Sequence, residues 1–344
     1  MKNFTYYRPA TPAQAVGLLD KTWGTAELLA GGTDLLDRQK EYVAGPDKVI
    51  SLGGLKDFGA ISSVSPPGAF PPVITIGAGA KLAEIAAHKD VRRVYPALST
   101  AAGEIAGPQI RNMGTLGGSL CQRNRCWYFR DEHTVCLLKG GDKCYALDGE
   151  NRYHAIFTKG HACVIAAPST LGTVLIALGA MAKVLGPKGE RTVPMAKFFR
   201  APTKADEREH VLAPDEILLS VSVSGGAEQF YEVKNASYEV RQKLSSDWPL
   251  VQAAVGVPVK DGKVKGARIV LGQVAPTPHV AEAAGKALEG KALSEETINA
   301  AAELAAEGAK PLAQNGYKVR LTVVAVKRAL LSAAGAKKYW EAQP

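Results

Sequence analysis

The chain has 344 residues, 46% of them hydrophobic and 22% charged, with a formal net charge of +9. That balance excludes a disordered polymer and fits a globular protein of two or three domains. The positive residues scatter, with a modest concentration at Arg111, Arg123, Arg125, Arg130, Lys139 and Lys143, which suits phosphate binding or an acidic partner better than a nucleic-acid stripe.

Residues 1–54 alternate in the βα manner. Thr11-Pro12 reads as the cap and first turn of a helix. Residues 27–30 form a short apolar strand that ends at Gly31-Gly32-Thr33-Asp34, with a helix from Leu35 and a further strand at 49–52. A second unit, 55–200, opens with a strand at 73–79, followed by helices around 81–88 and 96–105. Residues 107–119 are too rich in glycine for a helix interior and predict a turn-laden segment with exposed backbone amides. Residues 162–182 carry no formal charge and are long enough to span a bilayer. Pro168, Ser169, Thr170 and Gly172 within them instead predict a buried strand (163–166), a turn and a buried helix (171–181), with no membrane span. Gly186-Pro187-Lys188-Gly189 is a hairpin signal. The charged, proline-containing stretch 201–216 reads as a linker. From 217 to 344 the pattern is α+β: alternating strands at 217–223, 231–234, 252–259 and 265–271, a hairpin at Asp261-Gly262, and Ala/Leu-rich helices at 280–289, 295–307 and 319–334.

Four of the five cysteines, Cys126, Cys136, Cys144 and Cys163, crowd into one segment (121–163) directly after the glycine-rich stretch, and the fifth, Cys121, precedes them. No apolar leader follows Met1, so a cytoplasmic protein is expected, or a periplasmic one exported on a partner's twin-arginine signal. A disulfide set is therefore disfavoured, and a chain this long does not need staples. Gaps of 9, 7 and 18 residues contain no Cys-x2-Cys knuckle, which argues against structural zinc. Inert buried thiols remain open. An iron–sulfur cluster fits best, because the intervening loop is rich in Gly, Lys, Asp and Asn and is able to wrap one. The six histidines show no ligand spacing, and His133 and His154 read as solvated loop residues.

Neither glycine cluster, 31–34 or 114–119, is a Walker A or GxGxxG fingerprint, yet each lets a phosphate approach backbone N–H groups. Together, Ala30-Gly31-Gly32-Thr33-Asp34-Leu35 and Arg111-Asn112-Met113-Gly114-Thr115-Leu116-Gly117-Gly118-Ser119 resemble the paired FAD-pyrophosphate loops of the xanthine dehydrogenase family's flavoprotein subunit. The opening Phe4-Thr5-Tyr6-Tyr7-Arg8-Pro9 is similar as well, and the likeness runs over nearly the whole chain. It implies an α+β protein: an FAD-binding domain of vanillyl-alcohol-oxidase (PCMH) type in two α/β subdomains, plus a C-terminal domain of carbon monoxide dehydrogenase flavoprotein type.

On this resemblance FAD is held by Leu29, Ala30, Gly31, Gly32, Thr33, Asp34 and Leu35 from the first loop. Ile110, Arg111, Asn112, Gly114, Thr115, Gly117, Gly118 and Ser119 join from the second, with Lys234 near the isoalloxazine end. The cysteine loop resembles that of two branches, aldehyde oxidoreductase and 4-hydroxybenzoyl-CoA reductase flavoproteins. This implies a [4Fe-4S] cluster on Cys126, Cys136, Cys144 and Cys163, with Cys121 a free thiol. The family's Ser-Asp is replaced by Ser169-Thr170, with Thr170 expected as a helix cap, and residues 238–248 match poorly. The implied function is electron transfer in a molybdenum hydroxylase. A molybdopterin-binding large subunit and a [2Fe-2S] small subunit would be partners, and no acid–base or nucleophilic residue is needed. Two other readings stand beside it: a hydroxybenzoyl-CoA reductase-like subunit running electrons inward, and a metal-stabilised binding module without flavin.

Overall fold

The structure, a computed structural model, describes residues 1–65, 72–224, 232–243 and 247–336. It is built on three sheets. The first is parallel, ordered β1-β3-β2 from β1 (Thr5–Tyr7), β2 (Ala26–Leu29) and β3 (Lys48–Ser51). Helix α1 (Pro12–Leu18) precedes β2, and α2 (Leu35–Lys40) joins β2 to β3. Thr11 caps α1 by accepting the Gln14 N–H at 3.2 Å, with Pro12 in the first turn, as the sequence indicates.

The second sheet is antiparallel, ordered β4-β5-β8-β6-β7 from β4 (Ile61–Val64), β5 (Val73–Gly77), β6 (Met181–Gly186), β7 (Gly189–Pro194) and β8 (Ile217–Val223). Residues 217–223 were expected among the C-terminal strands. They pair instead with β5 and β6, because their alternating apolar face, including Leu218, Val221 and Val223, completes this subdomain's core. Between β5 and β6 run α3 (Leu82–Ala87), α4 (Lys89–Val94), α5 (Pro96–Glu104), α6 (Pro108–Met113), α7 (Leu116–Cys121), α8 (Trp127–Arg130) and α9 (Thr170–Ala177).

Residues 107–119 form two short helices rather than turns alone. Gly117 and Gly118 sit in the first turn of α7, where Thr115 caps the Gly118 N–H at 3.1 Å, so the glycines weaken no long helix interior. Residues 163–166 join no sheet. They run extended, with Val164 O taking the Ala155 N–H and the Ala167 N–H bonding Ala275 O. Ser169, not Thr170, caps α9 by accepting the Gly172 N–H.

The third sheet centres on β10 (Val251–Lys260), flanked by β9 (Glu232–Val240), β11 (Lys263–Val264) and β12 (Arg268–Gly272), with β13 (His279–Val280) beyond β12. The strand expected at 231–234 is thus longer, and Tyr231 lies outside the described residues. Asp261 and Gly262 take positive φ (52° and 73°), the hairpin geometry expected of Asp-Gly. Helices α10 (Glu282–Leu288), α11 (Glu295–Leu304) and α12 (Tyr317–Ala333) cover the sheet. Helix α9 is buried along its whole length because it lies between α5 and the β10–β12 surface. Burying Leu171, Val174, Leu175 and Ile176 there contributes about 1.5–3 kcal/mol each.

Candidate cofactor site

The two glycine loops meet. Gly32 at the end of β2 has φ +77°, which favours glycine, and Gly31 packs so closely on the second loop that a Cβ would overlap the Met113 carbonyl. Gly117 lies against Ala78. A cleft of about 390 Å³ opens between the loops, large enough for a sizeable cofactor. It continues past Thr170 and Cys121 to Glu239 on β9, to Arg241 just beyond that strand and to Trp248, so all three sheets contribute to its walls.

Charge is concentrated beside the first loop. The Asp34 carboxylate takes Arg125 at 3.0 Å, Arg130 at 2.6 Å and Arg38 at 3.2 Å. Burial pushes its pKa up, but the three guanidiniums outweigh that and hold it below the usual carboxylate range. A second pair, Arg123 with Glu209 at 3.1 Å, is almost fully buried. The two atoms are close without hydrogen-bond alignment, while Asn124 donates its backbone N–H (3.0 Å) and side-chain amide (2.8 Å) to the other Glu209 oxygen. Burial raises the Glu209 carboxyl, and Arg123 and Asn124 bring it below its ordinary value. The stretch 201–216 is therefore not a tether: Glu207, Glu209 and His210 are buried, clamped onto the start of the cysteine loop. At the far end, burial raises Glu239 to about 7 although Arg241 pairs with it, and one of its oxygens has no hydrogen-bond partner.

The four clustered cysteines converge. Cys136 and Cys163 are buried, Cys126 and Cys144 half-buried; Cys126, Cys136 and Cys163 share a small core with Phe129, Leu138 and Ile165, and Cys144 meets Cys163 beside it. Burial, with the nearby Cys144 and Cys136 adding to it, pushes the Cys126 thiol up to about 12. The Cys163 thiol donates to the Cys144 sulfur, which lowers Cys144 and raises Cys163. The loop is shaped for this: Gly140 has φ +89°, a Cβ on Gly141 would overlap the Val135 carbonyl, and Asn124 Oδ1 accepts the Cys126 N–H at 3.1 Å. Among the described residues no group of three or more His, Cys, Asp or Glu is spaced to chelate a single metal ion. His154 is not solvated as expected: it is 4% exposed, with Nε2 3.2 Å from Cys126 Sγ. Helix α12 reaches into the same region, where the buried Lys318 ammonium donates to the carbonyls of Tyr153, His154 and Gln273 at 2.8–3.0 Å.

Comparison with known proteins decides what this cleft is. Residues 2–223 match the family described as "FAD binding domain in molybdopterin dehydrogenase". The chain belongs to that family, the FAD-binding subunits of molybdenum hydroxylases. Residues 236–333 of the flavoprotein subunit match "CO dehydrogenase flavoprotein C-terminal domain". It is 34% identical over 337 residues to the aldehyde oxidoreductase FAD-binding subunit PaoB of Escherichia coli (strain K12), covering 96% of this chain and 97% of that protein. It is 28% identical to the carbon monoxide dehydrogenase medium chain of Hydrogenophaga pseudoflava, covering 96% of each. The structure of carbon monoxide dehydrogenase from that organism, lacking the Mo-pyranopterin moiety, aligns with a TM-score of 0.73 over 97% of this chain and 98% of that one. The flavoprotein subunit is thus a component of an oxidoreductase, and the flavin-free binding module is overturned by the family match.

Within the flavoprotein subunit, Ala30 to Leu35 all line the cleft, as do Ile110, Gly114, Thr115, Gly117, Gly118 and Ser119. Leu29, Arg111 and Asn112 are not among its lining residues. Arg111 turns away and donates to the carbonyls of Ile105, at 2.9 Å, and Ala106, closing the turn between α5 and α6. Lys234 does not line the cleft either. It pairs with Val257, and strand alternation puts it on the opposite face of β9 from Glu239. The far wall (Glu239, Arg241, Trp248) falls where the family resemblance was poorest. Arg125 links that wall to the cysteine loop, its guanidinium 5.1 Å over the Trp248 ring and its backbone adjoining Cys126.

Proposed function

We propose that this chain is the electron-transfer subunit of a molybdenum hydroxylase of aldehyde oxidoreductase or xanthine dehydrogenase type. It would carry FAD in the cleft and a [4Fe-4S] cluster on Cys126, Cys136, Cys144 and Cys163. The observation that supports it most is the joining of the two glycine loops around one cleft immediately beside four converging thiols.

The residues fit both groups. Bound FAD supplies reversible two-electron chemistry that also exchanges single electrons. Gly31, Gly32, Gly117 and Gly118 would let its pyrophosphate reach backbone N–H groups, with the hydroxyls of Thr33, Thr115 and Ser119 as further donors. A single tetrahedral metal holds its sulfurs about 3.8 Å apart, given metal–sulfur bonds of about 2.3 Å. A four-iron cube separates its thiolates further, so the failure of the loop to chelate one ion does not count against it. All four cysteines would lose their thiol protons on ligation. Arg125, stacked on Trp248, spans the ground between the cysteine loop and the cleft.

Companion subunits are implied by the names of the relatives, a "subunit" and a "medium chain". A molybdopterin-binding large subunit and a [2Fe-2S] small subunit would exchange electrons with this one, which passes them to or from an outside acceptor. Anaerobic purification followed by flavin, iron and sulfide analysis tests the reading. About four irons per FAD with a cluster EPR signal on reduction is expected; one FAD with no iron would leave a plain flavoprotein.

A further inference from the structure

The contact between His154 and Cys126 is not explained by packing alone. The imidazole is boxed by Trp127 and Tyr128 (ring centroids 5.7 and 6.5 Å away) and its Nε2 faces Cys126 Sγ at 3.2 Å. Its Nδ1 is buried with no hydrogen-bond partner. A buried orphan donor is rarer and costlier than a buried orphan acceptor, so the proton belongs on Nε2, where it points at sulfur. The segment is held firmly. The His154 N–H bonds Asn151 O at 3.0 Å, and the His154 carbonyl accepts from Asn315 (3.2 Å) and Lys318 (3.0 Å). The backbone N–H groups of Tyr128 and Phe129 also point at Cys126; His154 adds a side-chain donor to them.

From this geometry we propose that His154 is a positioning residue that donates Nε2–H to the Cys126 thiolate and raises the reduction potential of the cluster. The inference rests on the cluster assignment made above. Reduction adds negative charge that spreads onto the ligand sulfurs, so a donor aimed at one of them stabilises the reduced form more than the oxidised form. Because the donor's backbone is tied to Lys318 on α12 and to Asn315 just before that helix, the C-terminal domain sets the bond.

The test uses the full chain, purified anaerobically, with dithionite as reductant and EPR-monitored redox titration. His154→Phe keeps the boxed ring and removes the donor; His154→Gln keeps an N–H donor. The Phe variant is expected to retain FAD and iron. At a fixed potential near the midpoint its reduced-to-oxidised ratio should fall about tenfold, equal to about 59 mV for a one-electron couple. The Gln variant should recover part of that shift. ENDOR spectra of the reduced wild-type protein should also show a proton coupling that deuterium oxide removes and that is absent in the Phe variant, a readout that needs no change of fold. An unchanged potential in the Phe variant would overturn the inference, as would equal shifts in Phe and Gln. Loss of iron with FAD retained would overturn it too, by making His154 a ligand. Wild-type protein without iron would defeat the cluster assignment itself, and that outcome is seen before any variant is made.

Discussion

Replacing Glu209 by Gln should weaken the protein more than any surface change, because it isolates a buried cation. The Arg123 and Glu209 side chains are each 5% exposed and 3.1 Å apart. In the variant the amide oxygen can keep the two Asn124 hydrogen bonds, but the new NH2 faces the guanidinium, donor to donor. Arg38 also bears unfavourably on Arg123, and Glu27 and Asp34, which favour it, are already paired with Arg38. Removing one partner of such a buried pair typically costs about 3–5 kcal/mol. At about 2–4 °C per kcal/mol for a domain of this size, the melting temperature should fall by about 6–20 °C. The assay is thermal unfolding followed by flavin release. Iron should be lost at lower temperature than FAD, since Asn124 also fixes the Cys126 N–H. Adding Arg123→Met should restore at least half of the loss, because an apolar pair replaces the stranded charge. A shift of under about 2 °C for Glu209→Gln, or a double variant weaker than the single, would refute this account of how the loop is clamped.

Gly31→Ala should lower FAD affinity more than tenfold by driving the loops apart, with an overpacking cost of about 1–3 kcal/mol, whereas Gly17→Ala, with open space around it, should leave flavin content unchanged. Visible absorbance after dialysis distinguishes the two. Cys126→Ser should remove iron and spare FAD, and Cys121→Ser should spare iron, checked by metal analysis; iron loss on changing Cys121 would mean that the four ligands are misassigned. Glu239 is raised from 4.5 to about 7, so between those values the folded protein keeps a proton that the unfolded chain has released. Stability should therefore fall as pH rises through that window, by about 3 kcal/mol in total, and Glu239→Gln should remove the slope in urea titrations at pH 5 and 8. His210 is the opposite case. Burial lowers it from 6.5 to about 4, so the unfolded chain takes the proton first, and stability should fall as pH drops from 6.5 to 4 unless His210 is replaced by Phe.

The cleft's loops were legible because local chemistry specifies them. Glycines at 31–32 and 117–118 permit a backbone approach that no other residue allows, and Thr11-Pro12 and Asp261-Gly262 mark a cap and a turn through their own dihedral preferences. The clustering of Cys126, Cys136, Cys144 and Cys163 was equally plain. The error at 107–119 arose from reading composition without position, since glycine in a helix's first turn costs little when a threonine caps it. Arg111, taken as a phosphate cation, is spent on two carbonyls that no sequence pattern reveals.

What the sequence by itself determined were the features that need only a few consecutive residues: the glycine turns, the caps, the thiol loop and the α+β alternation. Only the tertiary structure decided which distant residues share a site. It moved Ile217–Val223 into the second sheet, buried the presumed linker under the cysteine loop, turned Lys234 away from the cleft while Glu239 on the same strand faced it, and set His154 against Cys126. Those outcomes follow from strand register and from the need to pair every buried charge, and both depend on partners far along the chain.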